Sequence, residues 1–222
     1  MRMEQFAVIG LGRFGSSLAK ELIRLGCEVL GVDKDEEAVD EIGPELTHTV
    51  VADTTEEEAL RSIGIRNVDC AVVAIGNDIQ ASILTSILLK ELGIPKVVAK
   101  ALSVPHGKVL HKLGVDRVIY PERDMGIRVA NQLVSPNLLD YIELSKSYTI
   151  AELSATRKLA SHSLKELDTR ARFGCSIVAI NKKNDQVVIA PSAEDVVEEG
   201  DVMVVIGTNE QIEHFESSVN GT

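Results

Sequence analysis

Three glycines, Gly10, Gly12 and Gly15, form a G-x-G-x-x-G in the stretch FAVIGLGRFGSSLA, with an arginine, Arg13, inside it. A β-branched run precedes the glycines and a helical pattern follows. Each glycine then has a physical task. Gly10 permits the tight turn, Gly12 lets a phosphate approach the backbone, and Gly15 lets helix and strand pack closely. The helix N-terminus adds unpaired N–H groups and a partial positive charge. Asp33 ends the next strand-like run, 23 residues after Gly10. A carboxylate there accepts hydrogen bonds from both ribose hydroxyls and repels a 2′-phosphate, which disfavours NADP. The Arg13 guanidinium is suited to the phosphates that the backbone holds, or it is a solvated surface group.

Other polar residues fall at strand ends, where open α/β sheets bind ligands. Asp53 contacts an adenine amine or holds a turn. Asn77 and Asp78 contact the ligand or cap the following helix. Lys100 ends the fifth run. Phe14, Lys34, Thr54, Ile75 and Gly76 stand beside these positions and complete the candidate nucleotide set.

The elements that position them follow from periodicity. Ala7–Ile9, Val29–Val32, His48–Val51, Ala71–Ile75, Val97–Ala99 and Val118–Ile119 read as strands, separated by amphipathic helices. Leu18, Leu22 and Leu25 mark the apolar stripe of the first helix, and Leu84, Leu88 and Leu92 that of a later one. Gly26, Gly93 and Pro95 stop helices, while Pro105 and Pro121 start them. Strands alternating with helices predict parallel βαβ units in a doubly wound sheet, an α/β Rossmann-like domain over residues 1–134 with a crossover region to about 143. Ser135-Pro136-Asn137 breaks that rhythm. Residues 144–222 then read as a smaller α+β domain. Its expected elements are strands at Tyr148–Leu153, Cys175–Ile180, Val187–Ala190 and Val202–Ile206 and helices at Ser163–Arg172 and Asn209–Ser217, with NKKNDQ as a hairpin turn.

Composition excludes some functions. The 222 residues carry 34 acidic and 23 basic side chains, a net charge of −11, which argues against a nucleic-acid partner. No apolar run approaches the roughly 20 residues that cross a bilayer, and the N-terminus does not read as a signal peptide, so a cytosolic chain is expected. Cys27, Cys70 and Cys175 are widely spaced and read as buried small hydrophobes. No acid–base, zinc or P-loop motif accompanies the glycines, which points to binding as the event itself, as in a nucleotide sensor. An NAD(H)-binding redox sensor and a small NAD-dependent oxidoreductase are the alternatives.

FAVIGLGRFGSSLAKEL, VDKDEEAVDEI, AIGNDIQASILTSILLKELG, VVAKA, LGVDRVIYPERDMG and RKLASHSLKELDTRARFGCSIVAI together closely resemble the RCK (KTN) regulatory subunits of Ktr-type potassium uptake systems. The resemblance covers nearly the whole chain. It implies a cytoplasmic protein, peripheral at the inner face of the membrane, whose homodimers assemble into a homo-octameric ring. That ring lies beneath a membrane-embedded potassium-translocating dimer of Ktr B or D type. It further implies that ATP and ADP favour different ring shapes. The phosphate-reading arginine falls on Arg13, the ribose carboxylate on Asp33, the lysine on Lys100, and adenine contacts near Asp53 and Thr54. A glutamate beside a bridging Mg²⁺ or Ca²⁺ falls on Glu122, whose local alternative is a helix N-terminal carboxylate complementing the dipole. In the second domain the resemblance implies cyclic di-AMP binding between two copies, with Arg170 on the phosphates and Leu164, Asp168, Ile177 and Pro191 around the ligand. MGIRVANQLVSPNLLDYIEL is expected as a crossover helix that pairs with its mate.

Overall fold

A computed structural model describes residues 3–135 and 137–220. Pro136, part of the expected break, lies outside them. Contacts divide the chain into two compact units, Met1–Arg123 and Asp124–Thr222.

In the first unit, β1 (Gln5–Ile9), α1 (Arg13–Arg24), β2 (Glu28–Asp33), α2 (Glu36–Ile42), β3 (His48–Val51), α3 (Glu57–Ser62), β4 (Cys70–Val73), α4 (Ile79–Glu91), β5 (Val97–Lys100), α5 (Val104–Lys112) and β6 (Arg117–Ile119) alternate as the sequence predicts. The six strands are all parallel, in the order β3-β2-β1-β4-β5-β6. This is the doubly wound arrangement, and its switch point lies between β1 and β4. β1 shows why the strands read as continuous apolar runs. Ala7 and Ile9 enter one core, beside Leu60, Leu89 and Leu110, while Val8 enters another beside Ala19, Val29 and Val39. Both faces are covered, so no polar alternation is needed.

The helix stripes hold in part: Leu22, Leu88 and Leu92 pack on the cores, while Leu25 and Leu84 do not. Leu25 is the C-cap of α1 and is exposed, while Gly15 and Ala19 are the buried residues. On α4 the buried residues are Ser82, Thr85, Ser86 and Leu89, and Leu84 is exposed. Small residues let this helix lie close to its neighbours. Cys70 and Cys175 are buried as expected, and burial pushes both thiols up, away from the reactive thiolate. Cys27 is only half-buried, a correction to the reading of all three as core.

α6 (Pro121–Val134) follows, then β7 (Leu138–Glu143), β8 (Tyr148–Ser154), β9 (His162–Ser163), α7 (Leu164–Leu167), α8 (Thr169–Phe173), β10 (Ser176–Asn181), β11 (Val187–Ile189), β12 (Val196–Val197), β13 (Val202–Thr208) and α9 (Asn209–Asn220). The antiparallel sheet β11-β10-β13-β8-β7 packs over Ala151, Leu153, Met203, Val205, Ile212 and Phe215, and β9 pairs with β12. Asn181 pairs with Val187 across the expected hairpin.

Two expectations are corrected here. The crossover segment is not one helix, because Leu138–Glu143 is a strand paired with β8. Side chains of α6 hold it there: Arg128 to Asp140, Asn131 Nδ2 to the Tyr141 hydroxyl at 2.9 Å, and Gln132 Nε2 to the Leu139 carbonyl at 2.5 Å. The helix expected over Ser163–Arg172 is also broken, by Asp168, whose φ of 40° lies in the left-handed region. Ser163 starts α7 with a complete capping box to Glu166.

Candidate functional site

The glycine loop runs from β1 into α1. Gly10 has φ of 95°, and a Cβ there would sit 2.9 Å from the Ala74 carbonyl carbon and the Ile75 nitrogen. Gly15 has no room either, since a Cβ would overlap the Gly10 carbonyl oxygen. A Cβ on Gly12 would instead meet nothing within 4 Å. Gly12 is also the N-cap of α1 and supplies no side-chain cap, and the first turn holds no acidic residue. Asp35, Asp78 and Ser103, by contrast, cap α2, α4 and α5 with their side chains. The N-terminus of α1 therefore presents its partial positive charge to open space, the geometry that receives an anion.

This loop forms one wall of a cleft of about 1160 Å³ over the carboxyl ends of the strands. Gly10, Gly12, Arg13, Phe14, Asp33, Lys34, Asp53, Thr54, Ile75, Gly76, Asn77, Lys100 and Glu122 all line it. Gly15 lies behind the loop, where close packing needs it. Sequence reasoning missed Ser17, Thr55, Gln80, Leu84 and Leu102. Gln80 and Leu84 follow from the rotation of α4, whose leucine stripe signalled core.

Asp33 has a second task. Its Oδ2 accepts from the Leu11 N–H at 2.6 Å and its Oδ1 from the Asp35 N–H at 3.0 Å. One carboxylate thus ties the glycine loop to the turn before α2, and each oxygen keeps a lone pair for a ribose hydroxyl. Asp53 holds a local turn: its Oδ1 accepts from the Thr55 N–H at 3.0 Å and hydroxyl at 2.7 Å, which lowers its carboxyl pKa. Thr54 is buried, with its hydroxyl 2.9 Å from that of Thr85. Asp78 caps α4 through the Ala81 N–H at 2.9 Å. Asn77 lines the cleft beside it.

At the opposite wall the buried Lys100 ammonium pairs with Glu122 and lies 5.7 Å from the Phe14 ring centroid. Hydrogen bonding from Lys100 is the main cause that lowers the Glu122 carboxyl pKa, and the Arg13 charge adds to it. Glu122 is engaged by Lys100, and among the described residues no group of three or more His, Cys, Asp or Glu side chains converges.

Side-chain and backbone hydrogen bonds connect the candidate residues of the second unit to their neighbours. Arg170 Nε donates to the Ser176 hydroxyl at 3.3 Å, next to Ile177. The Ala190 N–H donates to the Val178 carbonyl at 2.9 Å, which brings Pro191 to the same end of β10. The Leu164 N–H bonds to the Asp195 carbonyl at 2.9 Å, and both Leu164 and Ile177 pack on the core beneath. Asp168 is the left-handed residue between α7 and α8.

A parallel sheet in this order, with an open glycine loop and charged residues at its strand ends, defines a Rossmann-like nucleotide-binding domain joined to a smaller α+β domain. Residues 6–121 match the TrkA-N domain and residues 148–220 the TrkA-C domain. The chain belongs to the family of Ktr system potassium uptake proteins. It is 50% identical to Ktr system potassium uptake protein A of Bacillus subtilis over 98% of this chain and 97% of that protein. It is 46% identical to Ktr system potassium uptake protein C of the same organism, over 97% of each. Among solved structures, GsuK bound to ADP aligns with 60% of this chain and 34% of its own, at 26% identity and a TM-score of 0.51. No helix of the described residues is long and apolar enough to cross a membrane.

Proposed function

We propose that this chain is a cytosolic regulatory subunit of a potassium uptake system, binding ATP or ADP in the cleft of its first domain. The observation that carries the reading is the phosphate end of that cleft, where the uncapped start of α1, the open face of Gly12, Arg13 and Lys100 meet. ADP in the related GsuK structure supports it. Among the described residues no histidine or cysteine lines the cleft, which favours binding over chemistry. Potassium flux is then controlled by shape. ATP and ADP bias different arrangements only if the γ-phosphate gains contacts in one of them. Assembly as homodimers closing into a ring of eight under a membrane subunit of Ktr B or D type belongs to this reading, as does residence at the inner face of the membrane. A divalent ion at the phosphates would draw most of its ligands from the nucleotide and water.

Calorimetric titration of the full chain with ATP, ADP and NADH tests the proposal. ADP is expected to bind, and Arg13→Ala to weaken it by about tenfold, the worth of one charge-assisted contact. The volume of the cleft favours one second reading, NAD(H), and a clear preference for NADH over ADP would establish that reading instead. Hydride transfer would show an oxidoreductase.

For the second domain we propose cyclic di-AMP as ligand, contacted by Leu164, Asp168, Arg170, Ile177 and Pro191. The gathering of Arg170, Ile177 and Pro191 at one end of β10 supports it. Arg170→Ala is expected to lower affinity for cyclic di-AMP about tenfold or more with an unchanged melting temperature. Equal binding by the variant would remove Arg170 from the site.

A further inference from the structure

The turn between β1 and α1 contains two successive peptide planes, and both are pinned. The Leu11 N–H donates to Asp33 Oδ2 at 2.6 Å. The Leu11 carbonyl accepts from the Ser16 hydroxyl at 2.5 Å. Leu11 is 3% exposed, so each of its backbone groups needs a protein partner. The Ser16 bond lies outside the ordinary helix ladder. The Ser16 N–H already takes the Gly12 carbonyl at 2.9 Å, and the neighbouring Ser17 hydroxyl makes the usual contact one turn back, to the Arg13 carbonyl at 2.9 Å. The Ser16 hydroxyl instead reaches five residues back, past the start of α1. Ser16 stands behind the loop, outside the residues that line the cleft.

A trans peptide is planar, and its C=O and N–H point in opposite directions. The Leu11 carbonyl and the Gly12 N–H share one such plane, so a carbonyl held on Ser16 turns the Gly12 N–H away from Ser16, and Gly12 lines the cleft. The plane before it obeys the same relation: the Leu11 N–H faces Asp33, while the Gly10 carbonyl oxygen lies against Gly15. We infer that Ser16 is a positioning residue for phosphate: by holding the Leu11 carbonyl, its hydroxyl aims the Gly12 N–H as a donor at the nucleotide's phosphates. The inference rests on the proposed nucleotide site and adds to it a residue that never touches the ligand. Without the hydroxyl, the buried Leu11 carbonyl lacks its donor. The plane then turns toward another donor and takes the Gly12 N–H with it.

The test is calorimetric titration of ADP and of adenosine into the full chain, Ser16→Ala and Ser16→Thr. Ser16→Ala is expected to bind ADP about fivefold more weakly, the worth of one hydrogen bond, with adenosine affinity unchanged. Ser16→Thr keeps the hydroxyl and is expected to bind ADP as the wild type does. Equal ADP binding by wild type and a folded Ser16→Ala overturns the inference and leaves the nucleotide site standing. Equal losses for ADP and adenosine would make Ser16 a support of the whole cleft, which also overturns it, as does a Ser16→Thr as weak as Ser16→Ala. If the wild type does not bind ADP, both readings fall. A second measurement needs no variant: the Gly12 amide of the wild type is expected to exchange more slowly with solvent when ADP binds. An unchanged rate with ADP bound shows that this donor does not face the phosphates, and it overturns the inference even if Ser16→Ala fails to fold.

Discussion

Gly15→Ala is expected to destabilise the first domain by about 3 kcal/mol and to abolish nucleotide binding. The added methyl would overlap the Gly10 carbonyl oxygen and come within 3.3 Å of the Ala74 side chain. The first of these obstacles is backbone, fixed between β1 and α1, and no rotamer change removes it. α1 must shift away from the sheet, carrying the Gly12 turn and the start of the helix with it. The matching control is Gly12→Ala, whose methyl enters open space. It is expected to cost no more than about 1 kcal/mol at the N-cap while still weakening nucleotide binding, because the methyl occupies the path of the phosphate. Thermal unfolding followed by circular dichroism separates the two: a melting temperature for Gly15→Ala equal to that of Gly12→Ala would show that the helix does not need this close approach.

Asp201→Ala is expected to destabilise the second domain by about 3 kcal/mol or more. Asp201 is 2% exposed. Its Oδ2 accepts from Lys182 Nζ at 2.7 Å and from the Glu198 N–H at 2.9 Å, while its carbonyl accepts from the Ala155 N–H at 2.7 Å. Lys182 Nζ also donates to the Val196 carbonyl at 2.6 Å. The pair thus ties the end of β10 to the β12 region and to the start of β13. The alanine would leave a largely buried ammonium and a backbone N–H without their acceptor. Burial by itself would raise the Asp201 carboxyl pKa, but the hydrogen bonds from Lys182 and the Glu198 N–H outweigh it and hold the pKa below its ordinary value. A carboxyl lowered in the folded state stabilises above its unfolded pKa of about 3.9 and loses that contribution as the pH falls through the folded value. Wild-type stability should therefore drop in acid below about pH 4, and the drop should be smaller in the variant. Urea titrations of both proteins at pH 7 and pH 3 measure this. A variant whose acid sensitivity matches the wild type would remove Asp201 from the account.

The parallel sheet was legible because both of its faces are covered. Strands such as β1 and β4 then appear as plain apolar runs, and glycines or prolines mark where each helix stops or starts. The glycine loop and Asp33 were legible because their chemistry depends on spacing along the chain. What escaped notice depends on rotation and on long-range pairing. α4 turns Ser82, Thr85 and Ser86 inward beside Leu89, so the leucine stripe caught only part of its buried face, through Leu88 and Leu92, and hid Leu84 as a cleft residue. β7 is a strand because its backbone pairs with β8, and α6 adds side-chain bonds to it, neither of which a break at Ser135 announces. Asp168 divides a helix that its neighbours would continue, and an aspartate tolerates the left-handed conformation without the signature of a glycine. The Lys100–Glu122 pair joins residues from two elements, and nothing in either local stretch discloses the other.

The double attachment of Asp33 has an evolutionary consequence. The carboxylate that would choose between ribose and a phosphorylated ribose also anchors the Leu11 and Asp35 backbone. A drift in ligand preference at this position would therefore loosen the phosphate loop at the same time. New specificity must come from surrounding positions such as Lys34, where a change leaves the Asp33 hydrogen bonds in place. The residue most exposed to selection for a different ligand is the one least free to answer it.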